Sequence, residues 1–276
     1  MNKQNIKLIA LDLDGTTLTT SRGLTNRTKK ALEDAVKNGV HVIIATGRAY
    51  SALPPEIFEV DGLRYILTSN GANVRDIVKD EKIYSNCIEP TALEKTVELL
   101  KNYDFMLEVF IDGYAYVEQK IYDNIHTMNF TQHHKQYIKE TRKPVEDLLA
   151  YTLKHKDGVE NINVNFENQT DRSMMRVELA TLENVTITTS FDHNLEVGGA
   201  TTSKADAIKM LCQMFGISEA EVMACGDSPN DLEMLLAAGF PVAMANAKDE
   251  LKKVAKYITT SNDEDGVALA IEKFVL

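Results

Sequence analysis

The chain has 276 residues, a formal net charge of −11 and 44% hydrophobic residues, enough for one large domain or two smaller ones with a sizeable core. The acidic balance, with no run of Lys or Arg longer than two, argues against generic binding to nucleic acid or an anionic membrane, since both rest on basic patches. Cys87, Cys212 and Cys225 form no CxxC pair, no apolar run approaches the ~20 residues that span a bilayer, and Met1 to Asn5 is polar instead of a signal-peptide start, so a reducing cytoplasm is the expected setting.

Five of the six residues from Ile6 to Leu11 are apolar, which predicts a strand covered on both faces in a parallel sheet; the run breaks at Asp12, Asp14 and Gly15. Two carboxylates therefore stand at the carboxyl end of a strand, where open α/β sheets bind ligands. An EF-hand loop does not fit, because its glycine belongs at position six and here it stands at position four. Thr25 then caps a predicted helix with Ala31, Leu32, Ala35 and Val36 on one face and Gly39 past its end. Val40 to Ala45 and Tyr65 to Thr68 read as further apolar strands, ending in Thr46-Gly47-Arg48 and Ser69-Asn70-Gly71. By the right-handed crossover rule these three steps make half of a doubly wound sheet.

Near Lys82 the texture changes. Thr91 with Glu94 reads as a capping box for a helix carrying Leu93, Val97 and Leu100. Leu107, Val109 and Ile111 alternate up to Asp112-Gly113, a hairpin signal, and Asn161 to Phe166 and Val185 to Thr189 alternate too, which predicts strands with one solvated face. The predicted organisation is a core of residues 1–80 and 197–276 with an α+β insert over 81–196. In the insert, His133 and His134 read as a solvated pair and Met174 and Met175 as packing residues. Triplets of glycosylation type at Asn26, Asn129, Asn168 and Asn184 are chance occurrences in a chain without an export signal.

The parallel texture then returns. Ser203 caps a helix with Asp206 three residues on, the stripe Ile208, Leu211, Cys212 and Phe215, and Gly216 at its end. Lys204 falls in the first turn, where a cation opposes the helix dipole and gains nothing structurally. Val222 to Cys225 is a strand ending in Gly226-Asp-Ser-Pro-Asn-Asp231, with Ser228 and Pro229 starting a helix, and Phe240 to Met244 is another, followed by Asn246 and Ala247. Asp263, Glu264 and Asp265 read as a polar loop. Arg48 divides between a substrate or carboxylate contact and plain surface.

Asp12-Leu-Asp-Gly-Thr16, Thr46-Gly47-Arg48, Lys204 and Gly226-Asp-Ser-Pro-Asn-Asp231 resemble, in order, the four motifs of the haloacid dehalogenase-like phosphatases. With the insert between the second and third motifs, the chain looks like the Cof-type subfamily with a large α/β cap. Ala205 stands where such proteins usually carry glycine. The resemblance implies a Rossmann-like, mostly parallel core and Mg²⁺-dependent removal of phosphate from a small metabolite such as a sugar phosphate. It implies that Asp12 is the nucleophile and Asp14 the acid and base, with Asp12, Asp14 (through its carbonyl) and Asp227 on the metal. Leu13, Thr46, Gly47, Arg48, Lys204 and Asn230 would hold phosphate or substrate, Thr16 would fix the Asp14 loop, and Asp231 would stand behind the ligands. Hard oxygen donors suit Mg²⁺ independently of the resemblance. A phosphomutase of similar core and a catalytically silent metabolite-binding regulator remain alternatives at this stage.

Overall fold

A computed structural model of the chain describes residues 4–128 and 130–276, with His133 by its backbone alone. The first three residues of the polar start, the triplet at Asn129 and the side chain of His133 lie outside the described residues. The strands in chain order are β1 (Leu8–Leu11), β2 (His41–Ala45), β3 (Tyr65–Thr68), β4 (Asn73–Asp76), β5 (Glu81–Ser85), β6 (Met106–Ile111), β7 (Tyr114–Glu118), β8 (Arg142–Val145), β9 (Val159–Asn165), β10 (Val185–Thr188), β11 (Asn194–Gly199), β12 (Val222–Gly226), β13 (Phe240–Ala243) and β14 (Tyr257–Ile258). They form two sheets, ordered β14-β13-β12-β1-β2-β3-β4-β5 and β10-β11-β9-β6-β7-β8. Two compact units result: residues 1–47, 54–85 and 203–276, and residues 48–53 with 86–202. Among the described residues no helix is long and apolar enough to cross a membrane.

In the first unit, β14 through β3 run parallel, and β4 and β5 extend the sheet antiparallel. All four residues of β1 and all five of β12 are buried, as their unbroken apolar character requires of strands covered on both faces. The helix Asn26–Lys37 packs on Gly266–Phe274, and Leu232–Ala237 packs on both Lys204–Phe215 and Asp249–Val254. The order of strands reverses between β1, which leads outward to β2 and β3, and β12, which leads the other way to β13 and β14. That reversal makes the carboxyl ends of β1 and β12 the switch point of the sheet, where a crevice opens for ligands. The sheet runs on to Ser85, past the Glu81 read from sequence as the start of the insert, because Glu81–Ser85 pairs with β4.

The second unit corrects two expectations. Its first α helix starts at Pro90, with Glu89 before it and no side-chain cap, so Thr91 lies inside the helix and its capping box does not form. Proline at the first helical position has the right φ and lacks an N–H that would go unmet, which makes the side-chain cap dispensable. The alternation of β6 and β9 does not mark a solvated face, since every residue of both strands is buried, as is every residue of β11 beside β9; β10, the third alternating run, is half-buried at all four positions. Leu107, Val109, Ile162, Val164, Leu195 and Val197 form the apolar side, packed with residues of the helices Pro90–Leu100, Leu148–Lys154 and Gln169–Leu179. The polar side bonds to itself. Glu108 pairs with Arg142 and accepts from Asn163 (3.2 Å) and Asn165 (3.0 Å), while Asn194 donates to Asn163 (3.0 Å). Met175 is in the apolar core, as read from sequence, and Met174 is 39% exposed.

Removing one partner of a buried ion pair strands the other charge, which costs about 3–5 kcal/mol. Arg142→Ala should therefore lower the urea-unfolding free energy of the second unit by about that amount. Arg142→Met combined with Glu108→Gln should recover much of the loss, because it removes both charges; equal losses in the two variants would deny the pair this role.

Candidate active site

Asp12, Thr46 and Asp227 follow the carboxyl ends of β1, β2 and β12, and Lys204 and Asp231 join Asp12 there. Asp12 follows β1 directly and its amide donates to the Cys225 carbonyl (3.0 Å), so it is pinned across the β1–β12 ladder. Thr17, which sequence reasoning passed over, donates from its hydroxyl to the Asp12 carbonyl (2.6 Å) and closes the loop. Thr16, on the same loop, donates to Asp227 Oδ1 (2.8 Å). Gly15 has φ +78°, and a Cβ there would stand 2.6 Å from Asp227 Oδ2. Glycine is thus required twice, for the left-handed turn and for the approach of the Asp14-Gly15 backbone to the Asp227 carboxylate.

Lys204 opens the helix Lys204–Phe215, capped by Ser203, whose hydroxyl accepts from the Asp206 amide (3.1 Å). Its ammonium is fully buried and donates to Asp12 Oδ1 (2.5 Å) and Asp231 Oδ1 (2.6 Å). The other oxygen of Asp231 accepts from the amides of Asp227 (3.0 Å) and Ser228 (3.1 Å). Asp231 is therefore saturated by structural partners, in keeping with a place behind the ligands. Ser228 donates to Asp227 Oδ2 (3.0 Å), and Asn246, following β13, donates to the Gly15 carbonyl (2.8 Å). Both contacts were missed because a hydroxyl at a helix start and an asparagine after a strand have ordinary local explanations.

Asp12, Asp227 and Asp231 each offer a carboxylate oxygen within 4.8 Å of the others, and they are the one such acidic group among the described residues. The side chain of Asp14 is outside this group, so its expected part on a metal rests on its backbone carbonyl. Thr46 is buried after β2, and Asn230 donates to Asn70 Oδ1 (2.9 Å). Arg48 is not surface. It groups with the second unit, where it is 8% exposed, donates to the Ala52 carbonyl (2.9 Å) and lies 5.1 Å from the centre of the Tyr137 ring. Asp263 and Asp265 are structural acceptors for Thr20 and Thr25. His134, read from sequence as solvated, is half-buried and packs against His193, ring centres 5.6 Å apart.

Burial raises the Asp12 carboxyl well above the ordinary range, helped by Asp231 and Asp227 and opposed by Lys204. Burial, then Asp231, pushes Asp227 up to about 6 against the pull of Thr16, Ser228 and Lys204. Burial also works against the Lys204 ammonium, but Asp12 and Asp231 outweigh it and hold its pKa above the usual lysine value. With all three carboxylates ionised, one ammonium would leave two negative charges uncompensated, a deficit that one divalent cation would match. The oxygen donor set fits Mg²⁺, which takes one or two carboxylates and keeps waters for the rest.

The sequence matches the haloacid dehalogenase-like hydrolase family over residues 9–271. It is 30% identical to the 5-amino-6-(5-phospho-D-ribitylamino)uracil phosphatase YcsE of Bacillus subtilis, covering 99% of this chain and 97% of that one. It is 29% identical to the phosphatase YwpJ of the same organism over 95% and 98% of the two chains. The solved structure of a haloacid dehalogenase-like hydrolase from B. subtilis superposes with a TM-score of 0.85 at 27% identity, over 98% of this chain and all of that one.

A carboxyl whose pKa is raised on folding binds its proton more tightly when folded. The resulting destabilisation is complete above the folded pKa and fades as pH falls toward the unfolded value; for Asp227 that window runs from about 6 down to 3.8. In EDTA, Asp227→Asn should raise the melting temperature or leave it unchanged, with the gain largest above this window and vanishing below it. The same variant should lose most of the stabilisation that Mg²⁺ confers by binding the folded state alone. Melting curves with EDTA and with saturating Mg²⁺ test both, and an equal gain from Mg²⁺ in native and variant proteins would remove Asp227 from the metal site.

Proposed function

The chain belongs to the haloacid dehalogenase-like hydrolases, and from that premise and the geometry at Asp12 we propose that it is a Mg²⁺-dependent phosphatase of a small phosphorylated metabolite, acting through an aspartyl-phosphate. The observation that carries this reading is the buried Lys204 ammonium bonded to Asp12, beside an acidic group with a two-charge deficit. A carboxylate approaching a phosphate dianion is repelled by roughly 4 kcal/mol per unit-charge pair at 4 Å and an effective dielectric of 20. Lys204 offsets part of that repulsion from a position fixed before substrate arrives, which is where electrostatic catalysis draws its strength.

Asp12 and Asp227 through carboxylate oxygens, and Asp14 through its carbonyl, would hold Mg²⁺, which supplies the charge that balances the site and keeps Asp12 anionic. An oxygen of Asp12 bonds to phosphorus as the phosphorus–ester oxygen bond breaks. Asp14 gives its proton to the departing oxygen and then takes one from the water that cleaves the aspartyl-phosphate, which restores both groups. Thr46, the Gly47 amide, the Leu13 backbone, Lys204 and Asn230 hold the phosphate oxygens. The unit of residues 86–202 selects the leaving group, with Arg48 a substrate contact. The activity named for YcsE, on a phosphorylated ribitylamino compound, supports a sugar phosphate or similar small metabolite as substrate.

Asp12→Asn should abolish turnover while keeping the fold, because it removes the nucleophile at constant volume; radiolabelled phosphate should be trapped on Asp12 of the native enzyme, and full activity in the variant would refute the assignment. Exchanging residues 86–202 for those of a relative should change the ranking of phosphate esters in kcat/KM and leave the metal requirement unchanged. A folded chimera that keeps the original ranking would count against selection by this unit.

A further inference from the structure

The turn after β3 is a polar strand tip to which the chemistry above gives no part. Ser69, Asn70 and Gly71 all have positive φ, at 51°, 55° and 100°. The left-handed region is unfavourable for a residue with a side chain, and Ser69 and Asn70 are both buried. Two such residues in succession persist only where surrounding contacts impose them.

Those contacts lead to three of the four motifs. The Asn70 amide donates to the Thr46 carbonyl (3.0 Å). The Asn70 side-chain oxygen accepts from Asn230 Nδ2 (2.9 Å), and a Cβ on Gly47 would stand 3.0 Å from that same oxygen. A Cβ on Gly71 would stand 2.1 Å from the Ser203 carbonyl, so only glycine lets the turn lie against the cap of the Lys204 helix. A side chain that merely tolerated the left-handed turn would not need to meet Asn230 and Gly47 with one oxygen. Asparagine satisfies both demands, since it enters this region more readily than most residues and carries the acceptor.

We propose that Asn70 is a positioning residue, which orients the Asn230 amide and the Thr46-Gly47 peptide for a phosphate group; this rests on the phosphatase reading above. The left-handed turn is how its side chain reaches both from the end of β3.

The test is Asn70→Gly, which keeps the backbone conformation that glycine prefers and deletes only the amide, with Asn230→Ala and the double variant. Three readouts are taken in Mg²⁺: kcat/KM on a reactive aryl phosphate, the thermal shift given by inorganic phosphate, and the melting temperature without phosphate. Asn70→Gly should lower kcat/KM by about 10- to 100-fold, the range for a misplaced catalytic contact, and diminish the phosphate-induced shift. Its melting temperature without phosphate should stay near the native value. The double variant should be no slower than Asn230→Ala alone, because the two side chains act as one unit. Native kcat/KM and native phosphate shift in Asn70→Gly, or effects that simply multiply in the double variant, would overturn the inference. If the native protein hydrolyses no phosphate ester, the phosphatase reading fails on its own, and the phosphate shift decides for Asn70: its loss in Asn70→Gly supports the inference, and an unchanged or absent shift overturns it.

Discussion

The structure of the core depends on one buried ammonium. Lys204 has no exposed side-chain surface and lies within hydrogen-bonding distance of both Asp12 and Asp231. Burying an ion is expensive unless it is paired and its donors are met, and here the pairing requires that β1, the loop after β12 and the start of the helix Lys204–Phe215 meet at one point. The placement of Lys204 in a first helical turn, unfavourable by the helix dipole, is intelligible only through these partners. Ser203 and Asp206 supply the capping that the lysine cannot.

The acidic side of the site is over-supplied relative to this ammonium. Asp231 is consumed by Lys204 and two backbone amides, which leaves Asp12 and Asp227 with raised carboxyl pKa values driven first by burial. Fold stability is opposed at these residues, since like charges in a buried site repel, and the Mg²⁺ proposed above would relieve that repulsion. The hydroxyls of Thr16 and Ser228 each donate to Asp227 and fix the orientation of its carboxylate. The peptide of Gly15 is brought against the same carboxylate by a turn that no side chain would permit.

Much of this was legible in the sequence because parallel strands are unbroken apolar runs whose ends stand out. The interruptions at Asp12, Thr46 and Asp227 mark the sheet edge where ligands bind, and the cap at Ser203 places Lys204 without ambiguity. The contacts that escaped are those between elements distant in the chain: Thr16 with Asp227, 211 positions apart, and Asn230 with Asn70, 160 apart, leave no trace in local spacing. In the second unit, alternation in β6 and β9 correctly separated two faces, but period-two patterning cannot tell a polar face wetted by water from one whose Glu108, Asn163, Asn165 and Arg142 satisfy one another. Glu81–Ser85 was placed outside the core because a short, largely exposed edge strand carries no unbroken apolar run to mark it.

We infer that the core site is an acidic cluster held partly protonated until a divalent cation neutralises it. Calorimetric titration of the EDTA-treated, dialysed protein with Mg²⁺ in buffers of different ionisation enthalpy measures the protons exchanged on binding. With burial pushing Asp227 up to about 6 and Asp12 raised beside it, binding of Mg²⁺ at pH 6 should release protons. Binding of Mg²⁺ without proton release at pH 6, or no binding at all, would contradict the account.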